Sequence, residues 1–216
     1  TVLKTAISDL EVDQREVNSK LYYIKYAIDG SDEFVTIATT RPETMLGDTA
    51  IAVNPKDTRY QNIVGKFAAI PTVGRKIKII EDVYADPEQG TGAVKITPAH
   101  DFNDFDVGKR QKLKMINIFT EEGKINKNAP SEYIGMDRFE ARKKIIEKLL
   151  ELQILTKEEK VKNKVPYGDR SNSIIEPYLT EQWFVDSKKL SVSAKKIVKN
   201  KKTNFFPENW SKTYFQ

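Results

Sequence analysis

Short β-prone runs that stop at glycine or proline dominate the sequence between residues 21 and 97. They cover residues 21–28, 34–40, 50–53, 67–70, 76–80 and 92–97. The stops include Asp29-Gly30, which is a hairpin signal, and Asn54-Pro55. Such a series is typical of a β-barrel or a β-sandwich rather than of a parallel sheet.

Helical signals are fewer and lie mostly in the second half of the chain. They predict helices over 101–113, over an amphipathic stretch that follows Asp137, and over the lysine-rich residues 188–202. The sequence therefore predicts one α+β, mainly β domain over residues 1–216. Residues 1–12 and about 188–216 are predicted to be terminal extensions.

Composition removes several classes of chemistry. The 216 residues include no Cys and one His, so disulfide scaffolds, thiol nucleophiles, zinc ribbons and iron–sulfur sites are excluded, and we predict no metal site. The sequence has neither a secretory signal nor an apolar run of the ~20 residues that span a bilayer, so we expect a cytoplasmic protein. The missing initiator Met suggests a processed chain or an excised fragment. The net charge of +5 fits either a polyanionic partner or ordinary solubility.

A first polar segment follows the predicted strand 34–40. It contains Thr39, Thr40, Arg41 and Thr44, with Pro42 placed to start a short helical turn. These side chains can converge on a pocket at the strand end. The alternative is that Thr39 and Thr40 are plain strand residues and that Thr44 is a helix-start hydroxyl.

A second polar segment contains Lys95, Thr97, His100, Asp101 and Asp104. Lys95 and Thr97 are predicted to point to the same face, because side chains alternate along a strand. Asp101 and Asp104 lie one helical turn apart, which also fits a helix N-cap and its partner. His100 is either a general base or a structural or substrate-contacting residue. A third segment, 165–171, has the chemistry of a turn with an added arginine.

Four stretches of the chain resemble one family. ATTRPETMLGDTAIAV (38–53), GTGAVKITPAHDFNDFDVGKR (90–110), VPYGDRSNSIIEPYLTEQWFV (165–185) and FPENWSKTYF (206–215) are similar, in this order, to valyl-tRNA synthetases. Isoleucyl and leucyl enzymes, with TTTPWT-like and TRPDTL-like versions of the first motif, fit less well. The sequence lacks HIGH-type and KMSKS-type signatures, so the resemblance is to the editing insertion, with the extensions at 1–12 and about 188–216 connecting it to the class I catalytic core. In that family the insertion is a β-barrel decorated with helices.

The resemblance also implies a reaction and assigns roles. Similar domains hydrolyse the ester of tRNA(Val) mischarged with threonine, with threonyl-adenylate as a further substrate left open. Asp104, as ligand of the substrate ammonium, is expected to act with Lys95 and Thr44 as catalytic residues, and a positioned water attacks the ester. The expected substrate-binding residues are Thr39, Thr40, Arg41, Thr97, His100 and Asp101.

The implied partners are the acceptor end of tRNA(Val) and the rest of the synthetase chain, with no membrane and a monomeric state. Editing is expected to need no cofactor, since ATP and Mg belong to the catalytic core. Two alternatives stay open: the editing domain of an isoleucyl or leucyl enzyme, and a tRNA-binding module that is inactive when excised.

Overall fold

The strand β1 (Val12–Ile28) has 17 residues and belongs to two parts of the structure. Its first portion pairs with β7 (Leu155–Gly168), and the two strands form a long antiparallel arm. Its second portion enters the main sheet, where residues 22–27 pair with β2 (Phe34–Thr39). One continuous strand therefore joins the arm to the sheet.

The computed structural model describes residues 2–181, 183 and 185–215. Positions 1, 182, 184 and 216, which fall in the predicted connecting segments and the third motif, lie outside the described residues. The chain divides into two compact units, 1–179 and 180–216. The remaining elements of the first unit are short 3₁₀ helices at Asp9–Glu11, Pro42–Gly47 and Ser131–Tyr133, strands β3 (Ala50–Val53), β4 (Phe67–Ala69), β5 (Lys76–Glu81) and β6 (Ala93–Ile96), and helices α1 (Phe102–Arg110) and α2 (Arg138–Glu151).

The sheet curls into a barrel-like form. Its strand order is β2-β1-β4-β5-β3-β6, with β7 added on β1. The strands β2 and β6, at the two ends of this order, lie against each other. All the pairs are antiparallel except β3 with β5. The expectation of an α+β, mainly β domain with a barrel-like sheet and helical decoration is confirmed.

The core of this unit follows from alternation along the strands. In β1, Tyr22, Ile24, Tyr26 and Ile28 are buried while the residues between them are more exposed. They pack with the apolar residues of β2, β3 and β5 and with Ala141, Ile145 and Leu149 of α2. Each fully buried aliphatic side chain contributes about 1.5–3 kcal/mol to folding, so the core supports the buried polar groups described below.

Comparison with the sequence-based expectations shows one clear error. The predicted strands in 34–97 are found within one residue of their expected bounds. The helix predicted over 101–113 ends three residues early, at Arg110, and the second helix follows Asp137 as expected. However, the first strand begins at Val12 rather than at residue 21, and residues 165–168 belong to β7 with the turn only at 169–171. The arm was missed because both of its strands carry charged residues on exposed faces, without the apolar alternation of a half-buried strand.

The second unit is helical. It contains α3 (Ser187–Lys199), which Asp186 caps through a hydrogen bond from the backbone N–H of Lys189, and α4 (Trp210–Phe215). Helix α3 presents an exposed lysine-rich face, as expected for 188–202. In the described parts of both units, no helix has the length and apolar character of a membrane span.

Candidate active site

The two polar segments meet where β2 and β6 end and β3 begins. Ala50 of β3 is paired with Ile96 of β6 in an antiparallel register. The residues just before β3 therefore lie beside those just after β6. The 3₁₀ helix Pro42–Gly47 connects the end of β2 to this point, with Pro42 at its start as the sequence predicts.

A fully buried carboxylate, Asp48, lies at the centre of this region. Its Oδ1 accepts hydrogen bonds from Lys95 Nζ at 3.2 Å and from Thr97 Oγ1 at 2.6 Å, and its Oδ2 accepts from Tyr26 OH at 2.8 Å. Lys95 Nζ also donates to Thr97 Oγ1, which confirms that these two side chains share a face. Burial raises the pKa of Asp48, and Lys95, Thr97 and Tyr26 oppose that rise.

The carboxyl group of Asp104 lies next to this cluster. Its Oδ2 accepts a hydrogen bond from the backbone N–H of Thr97 at 2.8 Å, and the residue is 5% exposed. Burial raises the pKa of Asp104 to about 7, although Lys95 and the Thr97 N–H act in the opposite direction. A carboxyl group with this pKa exists in both protonation states near neutral pH.

Asp101 sits at the start of α1 and is exposed. Its Oδ1 accepts hydrogen bonds from the backbone N–H groups of Asn103 at 2.8 Å and Asp104 at 3.1 Å. Asp101 is therefore the N-cap of α1, which was one of the two readings of its spacing. In this position it fixes the first turn that carries Asp104.

The hydroxyl groups of the first segment stabilise the turn in which they lie. Thr44 Oγ1 donates to the carbonyl oxygen of Arg41 at 3.0 Å, and Thr39 Oγ1 accepts from the backbone N–H of Arg41 at 3.1 Å. Both threonines are buried. Each oxygen keeps a lone pair that these contacts do not use.

Arg41 belongs to a network of ion pairs. Its guanidinium contacts Glu43 and Glu176 and donates to the carbonyl oxygen of His100 at 3.1 Å. Burial lowers the pKa of Arg41, but Glu176 and Glu43 outweigh it and the net shift is upward. Glu43, which is fully buried, receives two more hydrogen bonds from Arg142, at 2.6 and 2.7 Å. Arg41 is thus held in one orientation, with its side chain still 29% exposed.

His100 is an acceptor for the protein backbone. Its Nε2 accepts a hydrogen bond from the backbone N–H of Ile118 at 2.9 Å, and its ring packs on Phe119 with the centroids 4.6 Å apart. Burial, together with the positive charges of Arg41 and Lys95, lowers the pKa of His100 to about 3. A neutral imidazole whose Nε2 lone pair is already occupied is poorly suited to act as a general base.

Thr40 lies apart from the other predicted residues. It lines a groove of about 720 Å³ between the arm and the barrel, together with Tyr22, Arg142 and the arm residues Asn18, Ser19, Lys20, Lys160, Val161 and Lys162. In the part of the chain that the structure describes, the lining of this groove includes none of Lys95, Thr97 or Asp104.

The structure therefore brings Lys95, Thr97 and Asp104 together, and places the Thr39–Thr44 turn and His100 beside them. Sequence reasoning missed Asp48, Tyr26, Glu43 and Glu176. Asp48 was within reach, because it is an acidic residue two positions before a wholly apolar strand. Over the described ranges 2–181, 183 and 185–215, no group of three or more acidic or histidine side chains is arranged to hold a metal ion.

Comparison with known proteins gives a consistent result. The family described as tRNA synthetases class I (I, L, M and V) matches residues 1–216. The chain is 76% identical over 216 residues to a valine–tRNA ligase of Pelagibacter ubique, covering 100% of this chain and 25% of that protein. It is 51% identical over 233 residues to the valine–tRNA ligase of Caulobacter vibrioides, covering 99% and 26%. The chain spans about a quarter of the length of these relatives.

A solved structure is also similar in fold. It is a LeuRS from Agrobacterium radiobacter K84 in a ternary complex with tRNA and LeuAMS. The TM-score is 0.51 and the identity 20%, over 69% of this chain and 20% of that one.

Proposed function

Since this chain belongs to the class I tRNA synthetases (I, L, M and V), we propose that it is the editing domain of a valine–tRNA ligase. In this proposal it hydrolyses the ester of tRNA(Val) that carries threonine in place of valine. The whole protein attaches valine to tRNA(Val) with ATP. The observation that carries the proposal is the buried polar cluster of Lys95, Thr97 and Asp104, which places a carboxyl group for the substrate ammonium beside a lysine and a hydroxyl group.

The need for such a site follows from the size of the two amino acids. Threonine and valine are nearly isosteric, so a pocket that selects valine rejects threonine by only about 10²-fold. A second pocket lined by hydrogen-bonding groups reverses this preference. Valine bound there leaves each buried polar group without a partner, at about 1–3 kcal/mol each. The buried hydroxyls of Thr44 and Thr97 have this character, whereas the carboxyl of Asp104 serves the ammonium that threonine and valine share.

The proposed reaction is a hydrolysis. The oxygen of a water molecule forms a bond to the ester carbonyl carbon, the bond from that carbon to the ribose oxygen breaks, and the ribose oxygen takes up a proton that the attacking water gives up. The products are free threonine and uncharged tRNA. Asp104, as carboxylate, pairs with the substrate ammonium, and Lys95 stabilises the negative charge that develops on the carbonyl oxygen. Thr44 completes the catalytic group by holding the substrate against the turn.

The remaining residues have supporting roles in this proposal. Arg41, oriented by Glu43 and Glu176, binds the terminal adenosine or its phosphate through the exposed part of its guanidinium. Thr39 and Thr97 line the pocket, Asp101 fixes the start of α1, and Thr40 contacts the tRNA beyond the terminal nucleotide. We assign His100 to the support of the 116–119 segment rather than to proton transfer.

The proposal is tested by measuring the deacylation of Thr-tRNA(Val) and Val-tRNA(Val) by the full-length protein that carries this sequence. We expect faster hydrolysis of the threonyl ester, and its loss in Asp104→Ala. The matched control is Asp106→Ala, because Asp106 is an exposed acid on the same helix. Equal rates for both esters, or equal activity of the two variants, would contradict the proposal.

A tRNA-binding module without hydrolytic activity is the second candidate. It is favoured by the exposed lysines of α3, which are Lys188, Lys189, Lys195, Lys196 and Lys199. The two candidates differ in their response to Asp104→Ala. Loss of hydrolysis with unchanged tRNA affinity supports the hydrolase, whereas loss of affinity alone supports the module. Cleavage of mischarged tRNA(Ile) or tRNA(Leu) in place of tRNA(Val) would favour the sister enzymes.

A further inference from the structure

We propose that Asp48 is a positioning residue for the proposed hydrolysis and that it acts by fixing the ammonium group of Lys95 and the hydroxyl group of Thr97. This inference rests on the proposed function. The carboxylate of Asp48 is fully buried and already accepts hydrogen bonds from Lys95, Thr97 and Tyr26, so we place it behind the groups that meet the substrate. Its effect must pass through the groups that it holds.

The direction of the hydrogen bonds defines what Asp48 does. Lys95, Thr97 and Tyr26 all donate to its carboxylate, and one oxygen, Oδ1, receives both Lys95 and Thr97. The Thr97 hydroxyl thus donates to Asp48 while it accepts from Lys95, which fixes its hydrogen and one lone pair. The remaining lone pair of the Thr97 hydroxyl oxygen therefore points in one fixed direction. A hydroxyl with a fixed orientation distinguishes a substrate hydroxyl from a methyl group better than a freely rotating one.

Asp48 is itself held from two sides. Tyr26, near the C-terminal end of β1, donates its buried hydroxyl to Oδ2 at 2.8 Å. Arg75 donates to the backbone carbonyl oxygens of Leu46 and Asp48, each at 2.9 Å, and so anchors the end of the 3₁₀ helix. Both the side chain and the main chain of Asp48 are therefore fixed by residues that lie outside the polar segments. This is the arrangement expected of a support rather than of a group that moves during the reaction.

The charge of Asp48 matters as much as its shape. The side chain of Lys95 is 9% exposed and its partner carboxylate, Asp48, is fully buried. Asp48→Asn keeps the size of the side chain but removes the counter-charge and replaces one acceptor with a donor. The Lys95 ammonium then has to turn toward other acceptors, because a buried charge without a partner is strongly unfavourable. A displacement of about 1 Å in a reacting group can cost about 10²-fold in rate.

The test is a double-mutant cycle in the full-length protein with Thr-tRNA(Val) as substrate. The variants are Asp48→Asn, Lys95→Met and the double variant. We expect each single variant to lower kcat by about 10²-fold with a KM within about threefold of wild type, because a misplaced group affects the transition state. If Asp48 acts through Lys95, the double variant is no slower than Lys95→Met alone.

Two further variants separate positioning from general stability. Tyr26→Phe removes only the hydroxyl group that holds Oδ2, and we expect kcat to fall by about threefold to tenfold, the effect of one hydrogen bond. Asp57→Asn is the matched control, because Asp57 is another buried, ion-paired aspartate, which binds Arg59 away from the cluster. It should lower the thermal stability without changing kcat.

The outcomes are distinct. Multiplicative losses in the double variant, or a loss in Asp57→Asn equal to that in Asp48→Asn, overturn the role of Asp48 while the hydrolase remains. A wild-type protein that does not hydrolyse Thr-tRNA(Val) overturns the proposed function and this inference together. Non-additive losses with normal kcat in Asp57→Asn support both.

Discussion

Replacing Asp104 by asparagine should make the protein more stable at pH 8 and leave its stability nearly unchanged at pH 4.5. Burial of Asp104 raises its pKa from 3.8 to about 7. Below 3.8 the residue is protonated in both the folded and the unfolded chain. As the pH rises through this interval, the unfolded chain loses the proton first, so the folded state becomes progressively less stable. Asparagine imitates the protonated form at every pH.

The magnitude follows from the same values. The difference between 3.8 and about 7 corresponds to about 4 kcal/mol of unfolding free energy, since each pKa unit is worth about 1.4 kcal/mol. Relaxation around the charged group reduces this figure, so we expect a gain of about 2–4 kcal/mol for Asp104→Asn at pH 8 and about 1 kcal/mol or less at pH 4.5. His100, with its pKa lowered to about 3, has the opposite effect: its contribution to stability is lost as the pH falls below about 6.5. Because His100 is present in both proteins, it cancels in the difference.

The assay is urea denaturation of wild type and variant between pH 4.5 and pH 8, on the full-length protein if the domain does not unfold separately. Asp106→Asn serves as the control, since this exposed residue on the same helix should change the stability by less than about 0.5 kcal/mol at either pH. A difference for Asp104→Asn that stays constant with pH, or a loss of stability at pH 8, would refute the reasoning. A gain would mean that the fold keeps a destabilising carboxylate at this position.

Three other predictions follow from the same contacts. The kcat/KM for Thr-tRNA(Val), corrected for spontaneous hydrolysis, should fall as the pH drops below about 7, because protonated Asp104 no longer pairs with the substrate ammonium. A kcat/KM that stays constant from pH 5.5 to 8 would contradict this role. Arg142→Ala should lower the unfolding free energy by about 3–5 kcal/mol, because it removes the ion-pair partner of the fully buried Glu43. Arg170→Ala, which breaks an exposed ion pair, should lower it by under about 1 kcal/mol. Similar losses for the two variants in urea denaturation would count against the buried network. Gly92→Ala should lower the melting temperature by several degrees (~4 °C). Gly92 has a φ of +82°, which is strained for alanine, and an added Cβ would lie 2.5 Å from Arg59 Nη2. An unchanged melting temperature would contradict this prediction.

Local patterns predicted the parts of this structure that depend on neighbouring residues. The strand Ala50–Val53 was found at its predicted bounds, because four apolar residues end at an Asn-Pro pair. The shared face of Lys95 and Thr97 follows from strand alternation alone. The local pattern also groups Thr40 with Thr39 and Arg41, but Thr40 lines the groove beside the arm instead of the polar cluster.

Such local patterns do not predict contacts between residues that are far apart in the sequence. Tyr26 and Asp48 are 22 residues apart, and their contact exists only because the sheet curls. Glu176 reaches Arg41 across 135 residues. The arm was missed for a different reason, since two charged strands that pair mainly with each other need no apolar face.

The unbroken course of β1 has a mechanical consequence. A strand rises about 3.3 Å per residue, so these 17 residues form a beam of about 55 Å that begins at the tip of the arm and carries the Tyr26 side chain near its far end. Its register with β7 shifts between Tyr23 and Ile24, and this is the joint at which the beam can bend. A force on the far end of the arm is transmitted along the backbone to this register shift, which lies only a few residues before Tyr26, whose hydroxyl group binds Asp48.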